Sequence, residues 1–306
     1  MASLFSQIKP KATLLGTLAL AVVALAMYFV PLLGIIIAFF ATIPGVVLWY
    51  RAVQSFGLAA LITIIIATLT GSIFIMTYMI ILLSVSAVIG YLLQKRASKE
   101  RILYMATFVA SILTLAAMMI LQSIQKLPYA NELLKPYQSA VDQTIQMQNL
   151  DTQSQEVLNA SVEQLAVQMP GLIVITIALF LIISLIIICP ILRKFKVATP
   201  VFRPLYLWQV RRSAFAIYAI ALLFGILTEP GTTEHSISLN FQIVLGFLMV
   251  IQGLSLIHYV SASKRMPKAV SIIFIIVGII FYPLTRLIGL LDLGLNLKRM
   301  IKNNKR

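Results

Sequence analysis

The sequence predicts an all-α fold, a polytopic helical bundle integral to a membrane. Three observations carry this: 60% of the 306 residues are hydrophobic, only 11% are charged, and the apolar residues gather into long uninterrupted runs. Soluble domains carry about 25% charged residues, and a membrane β-barrel would show short alternating segments instead. Only helices satisfy their own backbone inside apolar runs of this length. A mean hydropathy of +1.00 agrees.

The first run, 12–30, follows Lys9 and Lys11 and holds Ala-Leu-Ala at 24–26, as a signal peptide would. A signal core spans about 7–15 residues, so this longer run is read as an uncleaved first crossing. Further runs cover 32–50, 57–71, 73–93, 102–124, 170–191, 213–228 and 241–261, with a last one from 269. The stretches Thr-Ile-Pro-Gly-Val-Val at 42–47 and Thr-Leu-Thr-Gly-Ser-Ile at 68–73 read either as breaks in tilted helices or as tight turns.

Charge sets the orientation. With the N-terminus inside, the cytoplasmic side collects Lys9, Lys11, Arg51 and the clusters at 95–101, 193–212 and 264–268. Only Lys126 and Lys135 fall outside before the last run, as positive-inside asymmetry requires. The tail, with Lys298, Arg299, Lys302, Lys305 and Arg306, fits the same rule only if the last run does not cross. Pro283 offers a break. A helix over 269–282 would enter the membrane and a second over 284–297 would return, leaving Arg286 against protein or near an interface. The expectation is eight transmembrane helices plus a C-terminal re-entrant segment, with a ninth span as the competitor.

Two segments lie outside the runs. The external loop 125–169 is acidic and Gln-rich, and Leu158, Val162, Leu165 and Met169 recur in it at helical spacing. That predicts an amphipathic helix, lying on the interface or capping a cavity. The inner loop 193–212 mixes six cations with Phe195, Phe202, Tyr206 and Trp208. It reads as a snorkelling interfacial segment or as a docking surface for a membrane protein partner.

The net charge of +15 is the positive-inside signature and not a nucleic-acid footprint. Cys189 is the single cysteine, and His235 and His258 stand far apart, so no metal-ligand spacing exists. No phosphate loop, nucleophile elbow or carboxylate pair is present; neither an enzyme nor a cofactor protein is expected. The candidate binding residues are two polar stripes inside apolar segments. Gln252, Ser255 and Tyr259 fall at i, i+3 and i+7, with His258 beside them. Asp292, Asn296 and Arg299 fall at i, i+4 and i+7. Each stripe either binds a polar ligand or clamps its helix to a neighbour. An acid inside a membrane costs roughly 2.5–3.5 kcal/mol on insertion scales, so Asp292 is expected to reach Arg286, His258 or a basic group at 264–268.

The order Gly-Phe-Leu-Met-Val-Ile-Gln-Gly-Leu-Ser-Leu-Ile-His at 246–258, then Gly-Leu-Leu-Asp-Leu-Gly-Leu-Asn-Leu-Lys-Arg at 289–299, resembles the C-terminal half of the YybS-like bacterial membrane proteins. That family is itself distantly similar to the substrate-binding components of energy-coupling-factor transporters. The resemblance implies a bacterial plasma membrane and a small-molecule-binding six-helix bundle over 12–191, followed by a helical half over 192–306 of one polytopic domain. Those components often carry Ala-x-x-x-Ala on the first helix. Here Thr13, Thr17 and Ala21 stand there, and the strict pattern occurs at Ala106 and Ala110. The leading expectation is a protein that binds, or moves, a small molecule. The alternative is a non-transporting scaffold or assembly factor working through 193–212. An enzyme on lipid-linked substrates lacks an acid–base pair to support it.

Overall fold

The computed structural model describes residues 9–148, 151–201 and 204–303, and every regular element among them is helical. Phe202, Arg203, Lys305 and Arg306, named above, lie outside the described residues.

The helices follow the apolar runs. They are α1 (Pro10–Phe29), α2 (Pro31–Phe40), α3 (Thr42–Arg51), α4 (Val53–Leu69), α5 (Ile73–Gln94) and α6 (Lys99–Ser123). The external segment forms α7 (Ala130–Leu133) and α8 (Lys135–Gln148), and leads into α9 (Thr152–Lys194). After a short 3-10 turn at Leu205–Leu207 come α10 (Arg212–Leu227), α11 (Thr233–Ser263), α12 (Lys268–Ile280), α13 (Tyr282–Leu295) and α14 (Leu297–Asn303). Five helices are long and apolar enough to cross a membrane: α1, α5, α6, α9 and α11. The bent pair α12–α13 is either a broken span or a re-entrant loop, and the segments Ile36–Arg51, Val53–Leu69 and Arg212–Leu227 are apolar but shorter.

The ends have local causes. Pro10 and Pro31 occupy first-turn positions, where the missing N–H is not needed. Ser72, Ser98 and Thr232 each accept a backbone N–H three residues on, capping α5, α6 and α11. The stretch 68–73 is a turn, with Gly71 at φ 71, whereas Pro44 and Gly45 sit inside α3. At the other ends, Arg96, Lys196 and Arg265 take left-handed φ values of 52, 61 and 53 just past α5, α9 and α11. There the next N–H returns to a carbonyl five residues back, and a basic residue stands at the negative end of the helix dipole.

The expected amphipathic helix is present but not as a separate interfacial element. Leu158, Val162, Leu165 and Met169 are the more sheltered positions of the outer part of α9. That helix runs 43 residues without interruption, about 64 Å at 1.5 Å per residue. Continuity through Pro170 has a specific cause. A proline inside a helix forces the preceding turn open. The Asn240 side chain of α11 fills that opening, accepting from Gly171 N–H at 2.7 Å and donating to the Val167 carbonyl at 2.8 Å.

The chain forms two compact units, Met1–Leu127 with Thr176–Phe202, and Pro128–Ile175 with Arg203–Arg306. The first packs Leu20, Val23 and Ala24 of α1 with Leu48, Phe56, Ala59, Met79, Leu82 and Leu83. Glycines set its close crossings: a Cβ on Gly45 would stand 2.7 Å from Ser86, and one on Gly90 2.7 Å from Trp49. Ala106 and Ala110 are buried within this unit. The second packs Val210, Tyr218, Leu245, Met249 and Leu293 together. Here α11 and α13 cross almost backbone to backbone, for a Cβ on Gly253 would fall 2.0 Å from the Thr285 carbonyl and one on Gly289 1.9 Å from that of Met249.

The last run is not one straight helix. It breaks at Phe281 and bends by 104° between α12 and α13, with Pro283 in the first turn of α13. Residues 269–290 therefore do not form one continuous helix.

Candidate functional site

Three of the residues singled out in the sequence meet in the second unit. Gln252 and Ser255 lie a turn apart on α11, and Asp292 lies near the end of α13; all three are buried. The Gln252 amide nitrogen donates to one Asp292 oxygen. The other oxygen accepts Lys298 N–H at 3.0 Å. Gln252 Oε1 accepts Val210 N–H at 2.8 Å. Ser255 Oγ reaches the carbonyls of Leu205 and Trp208 at 2.6 and 2.7 Å, and Lys298 Nζ donates to both Ser255 Oγ and the Trp208 carbonyl at 2.7 Å.

The partners of Asp292 are thus a neutral amide and a backbone N–H, and not Arg286, His258 or a base at 264–268. The reason is local. Asn296 takes a left-handed conformation at φ 58 and ends α13, so the chain turns and presents Lys298 N–H to the carboxylate. In α14, burial lowers the proton affinity of the Lys298 amine, and the Asp292 carboxylate opposes that shift. The cluster ties the segment 205–210 to α11 and the C-terminal turn, and each of its hydrogen-bonding side chains has a protein partner. It is built as a clamp.

The other predicted residues stand apart from it. His258 packs edge-on against the Tyr206 ring at 5.3 Å, and its Nδ1 is buried with no hydrogen-bond partner. Tyr259 is half-buried, Asn296 serves as the helix cap, and Arg299 is exposed.

Two features were not read from the sequence as sites. In the second unit the Arg286 guanidinium lies 5.1 Å from the centre of the Tyr218 ring and rests against Gly246. In the first, Thr42 Oγ1 and Trp49 Nε1 on α3, and Thr107 Oγ1 and Ser111 Oγ on α6, are buried without hydrogen-bond partners. Thr42 and Trp49 are seven residues apart and share a helix face, as do Thr107 and Ser111, four apart. Each is an ordinary polar residue in an apolar run; only the packing reveals that its neighbours leave it unpaired. Among the described residues, no three His, Cys, Asp or Glu side chains gather to hold a metal ion.

Comparison with known proteins places these features in context. The chain is 34% identical over 137 residues to a Bacillus subtilis (strain 168) protein described as uncharacterized protein YybS. The match covers 44% of this chain and 44% of that relative, so it spans under half of either. No solved structure matches the chain. The family model described as predicted membrane protein (DUF2232) matches residues 17–293, nearly the whole chain, and this protein belongs to that family of membrane proteins.

Proposed function

We propose that this protein binds a small, hydrogen-bonding molecule within the membrane, and that the first unit is the binding bundle. The observation that carries the reading is the set of buried, unpartnered side-chain atoms at Thr42, Trp49, Thr107 and Ser111. More than nine in ten buried backbone polar groups, and most side-chain ones, find a partner. The two pairs, one on α3 and one on α6, are positions where a bound molecule would supply the missing bonds. The test is direct. Small molecules released from purified wild-type protein are compared by mass spectrometry with those from Trp49→Phe and Ser111→Ala. A compound enriched in the wild type that quenches Trp49 fluorescence in a Trp208→Phe background supports the reading. An identical profile in all three proteins sinks it. Movement of that compound into vesicles would add transport to binding.

The reading has the chain in the bacterial plasma membrane, with eight crossings, a re-entrant α12–α13 pair and a cytoplasmic N-terminus. The cations that end α5, α9 and α11 support that orientation, since all three fall on loops assigned to the inner face.

A scaffold or assembly role through 193–212 is the second reading. It is favoured by the hydrogen bonds that hold 205–210, the stretch leading into Arg211 and Arg212, to Gln252, Ser255 and Lys298. Replacing Lys194, Lys196, Arg211 and Arg212 with serine would then abolish a co-purifying membrane protein while leaving small-molecule binding intact.

A further inference from the structure

Arg286 presents a problem that the clamp at Asp292 does not solve. Its guanidinium lies against Gly246, which sits 13 residues into α11 and 17 from its end. At 1.5 Å per residue Gly246 stands about 8 Å inside the outer end of the apolar run 241–261, so the charge lies within the apolar part of the helix. A cation at that depth normally has a counter-charge. Of the nine acids in the chain, Asp292 alone lies within an apolar run. Asp292 is six residues along α13, about 9 Å further and about 240° round the helix from Arg286. Both its oxygens are already engaged by Gln252 and Lys298 N–H. Among the described residues, Arg286 has no ion pair and no hydrogen bond; its polar neighbour is the face of the buried Tyr218 ring.

The seat itself is shaped for the guanidinium. Position 246 is glycine, and a Cβ there would come within 3.3 Å of both Cζ and Nε. The flat cation therefore lies directly on the α11 backbone, with the Tyr218 ring along one side. One turn before it on α13, Tyr282 is exposed, as is Ile217 next to Tyr218 on α10.

We propose that Arg286, seated between Tyr218 and Gly246, binds an oxyanion carried on an apolar body, a phosphate-type head group attached to a hydrocarbon chain. The guanidinium presents a planar fork of N–H donors that matches such an anion in two-point geometry, and the exposed apolar side chains of α10 and α13 are available to the chain. The site lies in the second unit and rests on observations separate from those behind small-molecule binding in the first.

The test uses the full chain purified in dodecyl maltoside, with thermal unfolding followed as amphiphiles are added. The probes are phosphatidylglycerol, phosphatidylcholine, dodecyl phosphate and inorganic phosphate. Because the basic loops attract anionic lipid wherever Arg286 points, the decisive quantity is the difference between wild type and variant. Phosphatidylglycerol or dodecyl phosphate is expected to stabilise the wild type beyond phosphatidylcholine. Arg286→Gln should weaken that anion-specific binding roughly tenfold or more, and Arg286→Lys should keep part of it. A response to phosphatidylglycerol alone identifies a bilayer lipid; a response shared by dodecyl phosphate identifies the head group on any chain. A response to inorganic phosphate of equal size overturns the need for an apolar body. If Arg286→Gln does not fold, Gly246→Ala keeps the charge but crowds its seat, and should weaken anion binding while leaving the phosphatidylcholine response alone. Equal anion responses in wild type and Gly246→Ala, or in wild type and Arg286→Gln, overturn the site.

Discussion

Gln252 and Asp292, forty residues apart, are joined by a direct side-chain hydrogen bond buried in the second unit. The bond converts an acid that insertion disfavours into the centre of a clamp. The Asp292 carboxylate accepts from α11 and from the C-terminal turn together. Asp292→Ala removes both acceptor oxygens and strands the Gln252 amide and the Lys298 N–H. We expect a loss of about 1–3 kcal/mol, the usual range when a buried donor is left unsatisfied. Asp292→Asn keeps one acceptor and should lose less. Thermal unfolding in detergent, with abundance in membranes as a second readout, checks the order. An alanine variant as stable as wild type contradicts the clamp.

Asn240 and Pro170 should be coupled. The Asn240 amide bonds to both Gly171 N–H and the Val167 carbonyl, the pair that an uninterrupted helix would join. Asn240→Leu leaves both groups without a partner, and should destabilise by roughly 1–3 kcal/mol. Pro170→Ala lets α9 close that bond by itself, so the double variant should lose less than the sum of the two singles. Chemical or thermal unfolding of all four proteins gives the interaction energy. Strict additivity would show that the amide does not stand in for the helix bond.

How legible was all this in the sequence? The runs located the apolar helices, though not α7, α8 or α14, because apolar length and Pro, Ser and Gly punctuation are local signals. The break near Pro283 was legible for the same reason. The continuity of α9 was not, because it depends on Asn240 reaching an opening 69 residues away in sequence. In the clamp, Gln252 and Ser255 were legible from spacing and Asp292 as an acid in an apolar run. Their partners were not. The expectation for Asp292 weighed only charged groups, whereas its acceptors are filled by an amide and a backbone N–H that exist only once Asn296 has turned the chain. The unpaired state of Arg286 and Trp49 is a property of packing, and no local pattern announces it.

The crossing of α11 and α13 depends on two glycines. A Cβ on Gly289 would fall 1.9 Å from the Met249 carbonyl carried by α11, and no rotamer change relieves a clash with backbone. Small residues let membrane helices approach in this way. Gly289→Ala should push the helices apart and weaken the clamp at Asp292 along with them, at a cost of roughly 1–3 kcal/mol or more. Gly57→Ala, where a Cβ meets nothing within 4 Å, is the matched control and should be harmless. If the two behave alike in a thermal unfolding assay, the close crossing is wrong.

The orientation of the chain can be read by thiol labelling in intact cells once Cys189 is replaced by serine. Gln143→Cys in α8 is exposed on the segment assigned outside, and Ala198→Cys is exposed on the loop assigned inside. An impermeant maleimide should label the first and not the second until the membrane is opened. Equal labelling of both would overturn the orientation.

Asn296 separates a ligand role from a capping role. Its φ of 58 is the left-handed conformation, which asparagine tolerates and glycine adopts without strain. If the residue serves to end α13 and turn Lys298 N–H toward Asp292, Asn296→Gly should retain stability and the clamp. Asn296→Val should destabilise, by about 1 kcal/mol or more, because a β-branched side chain resists that backbone. If the side chain instead held a ligand, glycine would abolish ligand retention as fully as valine does. Thermal unfolding, paired with mass spectrometry of co-purified small molecules, distinguishes the two. Loss of stability in Asn296→Gly as large as in Asn296→Val would contradict the cap, because the backbone argument predicts opposite behaviour for those two residues.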